Sequence, residues 1–202
     1  MTIGSSFPQV LVAAQDGDEQ SFEMLWRDLH PPLLRYLQVL APGTAEDLAA
    51  DTWIRVIRAL SRFVGDERGF RAWVFTVARY RAIDWHRRTN RQRIESVPVE
   101  LADGWAAPDD PVAEALEGWS TRAALALIGG LPRTQAEVVA LRVLDGLSVA
   151  EVAQITGNNT NAVRVLSHRG LRRLARRLQA APLADGHPTS LPGGSGCQAA
   201  GP

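Results

Sequence analysis

Lysine is missing from this chain: all 22 basic residues among its 202 are arginine, a bias that fits genomic base composition more closely than any function. A single cysteine, Cys197, excludes an internal disulfide and a cysteine-based zinc site within one chain. No run approaches the roughly 18 consecutive apolar residues of a membrane span, and no basic stretch followed by an apolar one opens the chain. Neither secretion nor membrane insertion is expected, and the cytoplasm is the expected compartment. The formal net charge is also zero, which by itself gives no hint of a charged partner.

The zero is a sum of blocks. Residues 1–52 carry 2 Arg against 8 acids, and residues 53–93 carry 11 Arg against 3. Residues 94–120 hold 7 acids and no base, and residues 121–181 hold 9 Arg against 3 acids. Two basic modules therefore flank an acidic bridge. The length suits one or two compact domains.

Leu131 to Leu178 has the punctuation of a helix-turn-helix unit. Thr134-x-x-Glu137 and Ser148-x-x-Glu151 each have the spacing of a capping box, in which hydroxyl and carboxylate satisfy the first backbone N–H groups of a helix. Gly146 and Gly157 stand where helices end on a left-handed residue. The last, arginine-rich helix divides cleanly at about 100° per residue. Val163, Leu166, Gly170, Leu171, Leu174 and Leu178 share one side. Asn161, Val165, His168, Arg169, Arg172 and Arg176 share the other, with Arg164 at its edge. Few acids lie one turn away to neutralise those arginines. Val165 among polar residues suits a thymine methyl better than water.

The remainder reads as helix. Helices are expected from Asp18 to about Leu29, from Pro32 to Leu40 after a break at Pro31-Pro32, and from a cap at Thr44 to about Phe63. Another is expected from Phe70 to Thr89, and one from Asp110-Pro111 to Gly129-Gly130. Residues 94–110, with Pro98, Gly104 and Pro108, read as an irregular acidic linker. From Pro182 on, Gly, Pro, Ser and Ala leave no periodicity, which reads as a disordered tail.

Residues 70–88 combine five arginines with Trp73, Trp85, Tyr80, Phe70 and Phe75. Arginine follows phosphates, and exposed rings stack on unpaired bases for roughly 1–3 kcal/mol each. The periodicity puts Arg79, Ile83, His86 and Arg87 opposite the apolar side and Trp85 in the core. Trp73 and Tyr80 sit at the border, where core packing and base stacking both stay open.

In order and spacing, several words of the sequence resemble the extracytoplasmic-function sigma factors of the sigma-70 family. They are Gly17-Asp18 with Phe22, Ala45-Glu46-Asp47-Leu48, Asp51-Thr52-Trp53, the run Phe70 to Arg79 with Asp84, Leu131-Pro132, and Gly146-Leu147-Ser148. The likeness spans about residues 8–178. It implies an all-α protein of two small helical domains joined by an extended acidic linker: residues 1–93, the linker 94–110, residues 111–181, and the tail 182–202. It also implies a promoter-specificity subunit without catalysis, cofactor or metal.

In such a protein the first domain binds the clamp of core RNA polymerase and captures the unwound −10 strand. The second docks at the flap and reads the −35 element of promoter DNA. Carried over by position, the −35 readers are Arg164, Val165, His168 and Arg169, with Asn161, Arg172 and Arg176 on the same face. The −10 pocket falls on Phe63 and Val64 to Gly69, hence Asp66, Glu67 and Arg68, with Trp73 and Tyr80 beside it and Arg79 and Arg87 for phosphates. The family often carries Asn where this chain has Tyr80, which favours stacking there. Polymerase contact falls on Asp47, Asp51, Thr52, Arg55 and Arg58. The acidic linker would thread a basic channel of the polymerase, and family members are commonly held by an anti-sigma protein.

The alternative reading is a helix-turn-helix regulator that binds operators alone. Such a regulator has no need of an arginine-and-aromatic helix suited to unpaired DNA. A nucleic-acid enzyme acting through Glu46, Asp47 and Asp51 would need ligands converging from other elements, and the sequence offers none.

Overall fold

The computed structural model describes residues 3–90 and 121–180. The acidic linker, the start of the helix expected from Asp110 and the tail lie outside those residues. Within them every regular element is helical. A 3-10 turn (Gly4–Ser6) leads into α1 (Phe7–Gln15), followed by α2 (Glu19–Leu40), α3 (Ala45–Leu60) and α4 (Glu67–Asn90). After the linker come α5 (Thr121–Gly129), α6 (Arg133–Val139), a π-helical turn (Ala140–Leu144), α7 (Val149–Thr156) and α8 (Thr160–Ala180).

Helix α1 is an element the sequence reading passed over. It buries Phe7, Val10, Leu11 and Ala14, the spacing of a one-sided helix. Asp18 then caps α2, its carboxylate accepting from the Ser21 N–H at 2.7 Å, a bond that holds the carboxyl below its ordinary range. The expected break at Pro31-Pro32 does not occur: α2 runs through both prolines. A proline inside a helix costs about 3 kcal/mol. Against that, Leu25, Leu29, Leu33, Tyr36, Leu37 and Leu40 form one buried stripe across the site, and each full burial contributes about 1.5–3 kcal/mol. The stripe wins.

Other boundaries shift for local reasons. Thr44 makes no cap; its hydroxyl turns back to the Ala41 carbonyl at 3.4 Å. Helix α3 stops at Leu60, short of Phe63. Helix α4 begins at Glu67, ahead of Phe70, because Asp66 caps it: its carboxylate accepts from the Gly69 N–H at 2.8 Å.

In the second bundle the box Ser148–Glu151 forms in both directions, at 3.3 and 2.7 Å, and Gly146 and Gly157 take φ of 64° and 71°. The box expected at Thr134–Glu137 does not form. The Pro132 carbonyl accepts from Gln135 and Ala136 N–H instead, at 2.8 and 2.9 Å. Glu137 is drawn into the interior by partners from the other bundle.

Those partners reveal what the periodicity could not. The two bundles pack directly on each other, α2 against α5, α6 and the π-helical turn and α4 against α7, and their buried residues form one core. Glu137 Oε1 accepts from Arg79 Nε at 2.7 Å and from the Tyr36 hydroxyl at 3.1 Å. Burial first, and Glu137 beside it, push the Tyr36 phenol well up. A few residues away Asp145 faces Arg35 at 3.5 Å, too long for a charge-assisted hydrogen bond, and its side chain is completely buried. Burial outweighs the attraction of Arg35 and Arg71 and pushes its carboxyl up to about 8.

Candidate nucleic-acid interface

Helix α8 is held at three places, and its polar face is left free. Its start is capped by Asn159, whose Oδ1 accepts from the Ala162 N–H at 2.7 Å. Its middle crosses α6 at Gly170, where a Cβ would stand 2.6 Å from Val139 Cγ2. Only glycine permits that approach. Toward its end the Arg177 guanidinium donates to the Gly130 carbonyl at 2.8 Å. Val163, Leu171 and Leu174 are buried as the periodicity required. Asn161, Arg164, His168, Arg169, Arg172 and Arg176 are exposed and Val165 is half-buried, so the whole expected reading face is presented together.

The loop between α3 and α4 is built on an aromatic cluster. Phe63 stacks on Trp73 with ring centres 5.1 Å apart, and both rings touch Phe70, which meets Phe7 of α1 at 5.8 Å. Gly65 lies over Phe63, where a Cβ would come within 2.9 Å of the ring. Trp73 is thus half-buried, one side committed to packing. Tyr80 is 57% exposed and Val64 94% exposed. Asp66, Arg68 and Arg87 are exposed as well.

Three side chains assigned to this face have other work. Asp66 caps α4. Glu67 accepts the backbone N–H groups of Ile3 and Gly4, at 2.7 and 3.0 Å. Arg79 is tied to Glu137 of the second bundle, where solvent and a phosphate had been expected.

On α3, Asp47, Asp51, Arg55 and Arg58 are exposed along one stripe. Thr52 must be removed from that surface: it is 0% exposed, and its hydroxyl donates to the Leu48 carbonyl at 2.7 Å. The stripe instead gains Ile54 and Ile57, 46% and 54% exposed. Their positions, three and six residues after Asp51, put them on the charged side, a signal that the spacing in the sequence carries. Nearby, His30 stacks on Trp26 and accepts the Trp53 indole N–H at Nδ1, which places the ring proton on Nε2. Burial lowers the pKa of His30.

Among the described residues no three His, Cys, Asp or Glu side chains gather as a metal site would require, and no helix is long and apolar enough to cross a membrane.

Comparison with known proteins follows the same two bundles. Residues 25–92 match the family model for sigma-70 region 2, and residues 121–174 match that for sigma-70 region 4. The ECF RNA polymerase sigma factor SigD of Mycobacterium tuberculosis is 33% identical over 186 residues, 88% of this chain and 86% of its own length. The chain belongs to the ECF sigma factors. It is a promoter-specificity factor for RNA polymerase, and sigma factors as such are initiation factors and not enzymes.

This sigma factor is also similar to BldN of Streptomyces coelicolor, 36% identical over 84% of this chain and 65% of that protein. In fold it resembles CnrH, solved in complex with the cytosolic domain of CnrY, with a TM-score of 0.62 over 88% of this chain and all of the other, at 22% identity. It likewise resembles RpoE of Bartonella quintana, solved with the anti-sigma factor NepR, with a TM-score of 0.59 over 81% of this chain and 99% of that chain, at 21% identity.

Proposed function

We propose that this sigma factor divides promoter recognition between its bundles, residues 1–93 acting on the −10 element and residues 111–181 on the −35 element. Residues 94–110 form the acidic connection through the polymerase. The observation that carries this reading is the undivided basic face of α8, beside a separate aromatic platform on α4. On α8, Arg164, Val165, His168 and Arg169 meet base edges in the major groove, and Asn161, Arg172 and Arg176 meet the backbone. On the platform, Trp73 and Tyr80 flank an unpaired base presented over Phe63 and the loop Asp66-Glu67-Arg68, and Arg87 follows the phosphates. Asp47, Asp51, Arg55 and Arg58, with Ile54 and Ile57, meet the polymerase clamp, and the second bundle meets the flap. The protein works in the cytoplasm with no catalysis, cofactor or metal of its own, and an anti-sigma protein is its natural inhibitor.

The docked arrangement of the bundles is then the polymerase-free form. Elements centred roughly 25 base pairs apart lie about 85 Å apart at 3.4 Å per pair. A compact body of about 150 residues has a radius of gyration near 15 Å. One docked body cannot reach both, so the bundles part on the promoter, and Arg79 exchanges Glu137 for a phosphate. Transcription with purified core polymerase on a randomised promoter library tests the reading. Initiation at sequences sharing two spaced elements supports it. Tight duplex binding without polymerase, and no initiation with it, would favour an operator-binding regulator.

A further inference from the structure

The loop between α3 and α4 is short, and the N-terminal segment grips it from both sides. On the α3 side the Gln15 side-chain amide donates to two carbonyls, Leu60 O and Phe63 O, each at 2.8 Å. These lie where α3 runs out of intrahelical partners. On the α4 side Glu67 receives two N–H groups, from Ile3 and Gly4, at 2.7 and 3.0 Å. Asp66 is spent on its own helix cap. Between the gripped residues only Val64 and Gly65 are free of such bonds, and Gly65 lies on the Phe63 ring. Beneath, Phe7 of α1 abuts Phe70, which backs Phe63 and Trp73.

Alone, a loop of this kind samples many conformations, and ordering each residue costs about 1–2 kcal/mol of backbone entropy. Hydrogen bonds that hold both of its ends remove most of that freedom before DNA arrives, which is how preorganisation raises selectivity. We propose that the segment Ile3–Gln15 is a brace that sets the shape of the −10 strand-capture loop, with Gln15 and Glu67 as its positioning residues. Neither need touch a base to alter which base is accepted. The proposal rests on the reading of this loop as the strand-capture element.

Gln15 is the discriminating position because it belongs to α1, outside the residues assigned to DNA. Gln15→Glu is nearly isosteric but turns a double donor into an acceptor facing two carbonyls, and Gln15→Lys keeps a donor. Holoenzyme assembled from the full chain would be compared on bubble templates with randomised −10 bases, and hydrogen exchange would be followed at the amides of residues 61–68 of the full chain. In Gln15→Glu, loop exchange should rise about tenfold, the scale expected when half-buried hydrogen bonds are lost. The −10 base preference should flatten while the −35 preference holds and the melting temperature falls only by the few degrees that such a loss implies, and Gln15→Lys should recover part of both effects. Wild-type exchange and wild-type −10 preference in Gln15→Glu would overturn the brace. Raised exchange with a wild-type −10 preference would also overturn it, since the loop would then be held without consequence for the base. If the unaltered protein itself shows no −10 preference on bubble templates, the strand-capture reading falls, and the exchange data still decide whether the loop is braced.

Discussion

Arg79 of α4 and Glu137 of α6 meet at 2.7 Å across the boundary between sigma region 2 and region 4. The same carboxylate oxygen takes the Tyr36 hydroxyl. Replacing Glu137 by Ala leaves two donors facing a hole at the junction of the bundles. An unsatisfied buried polar group costs about 1–3 kcal/mol, and Arg79, which keeps some solvent, puts the change toward the lower half. The expected outcome is weaker docking with both bundles still folded. Small-angle scattering would register it as a larger radius of gyration; an unchanged radius and unchanged melting would deny Glu137 its role as a latch.

Asp145 makes the stability depend on pH. Its carboxyl is pushed from an ordinary 3.8 up to about 8, by burial first and against the pull of Arg35 and Arg71. The folded state thus holds a proton that the unfolded chain gives up. That contribution is complete below pH 4 and is lost as pH rises through about 8. Wild-type melting temperature should fall more steeply between pH 5 and 8 than that of Asp145→Asn. Parallel profiles for the two proteins would show that the acid is not protonated in place.

On α8 the exposed arginines should separate into two groups. Arg164→Ala or Arg169→Ala should cost about 1–3 kcal/mol on the best promoter and relax preference at one or two −35 base pairs. Arg172→Ala and Arg176→Ala should weaken all promoters alike and flatten the salt dependence. Binding measured across a −35 library at two salt concentrations distinguishes them. Uniform loss from all four would reduce Arg164 and Arg169 to phosphate contacts.

Tyr80 and Trp73 differ in what they have already committed. Tyr80 is open to solvent, whereas one side of Trp73 is stacked on Phe63. Tyr80→Ala should lose about 1–3 kcal/mol of single-strand binding, the scale of one base–aromatic stack, with little change in melting temperature. Trp73→Ala should lose both binding and stability. Permanganate footprints on duplex and bubble templates, read beside thermal melts, would expose the difference. Equal stability losses would make Tyr80 a packing residue.

Local physics left a legible record in the sequence. The Ser148–Glu151 box, the glycines at 146 and 157 and the two sides of α8 each depend on residues within a turn or two of one another. Spacing was therefore enough to place them. The charge pattern and the family words were equally local, and they led to the same two modules.

Features decided by distant partners escaped that reading. Pro31 and Pro32 look like a break until the buried stripe of α2 is seen to outweigh them. Thr134 and Glu137 have the spacing of a box, yet Tyr36 and Arg79, 101 and 58 residues away, offer the carboxylate better partners. Thr52 looks like part of a surface word, but its neighbours in space bury it. Glu67 and Asp66 read as DNA contacts until the N-terminal segment and the α4 cap claim them. The sequence by itself determines the caps that close within a turn and the apolar faces of the helices, because those follow from backbone geometry and side-chain period, whereas the continuity of α2 through its prolines was decided by its packing. Which polar groups remain free for DNA is decided only by the packed chain, because each group has a limited number of hydrogen-bonding sites and the partners that fill them can come from anywhere along the chain.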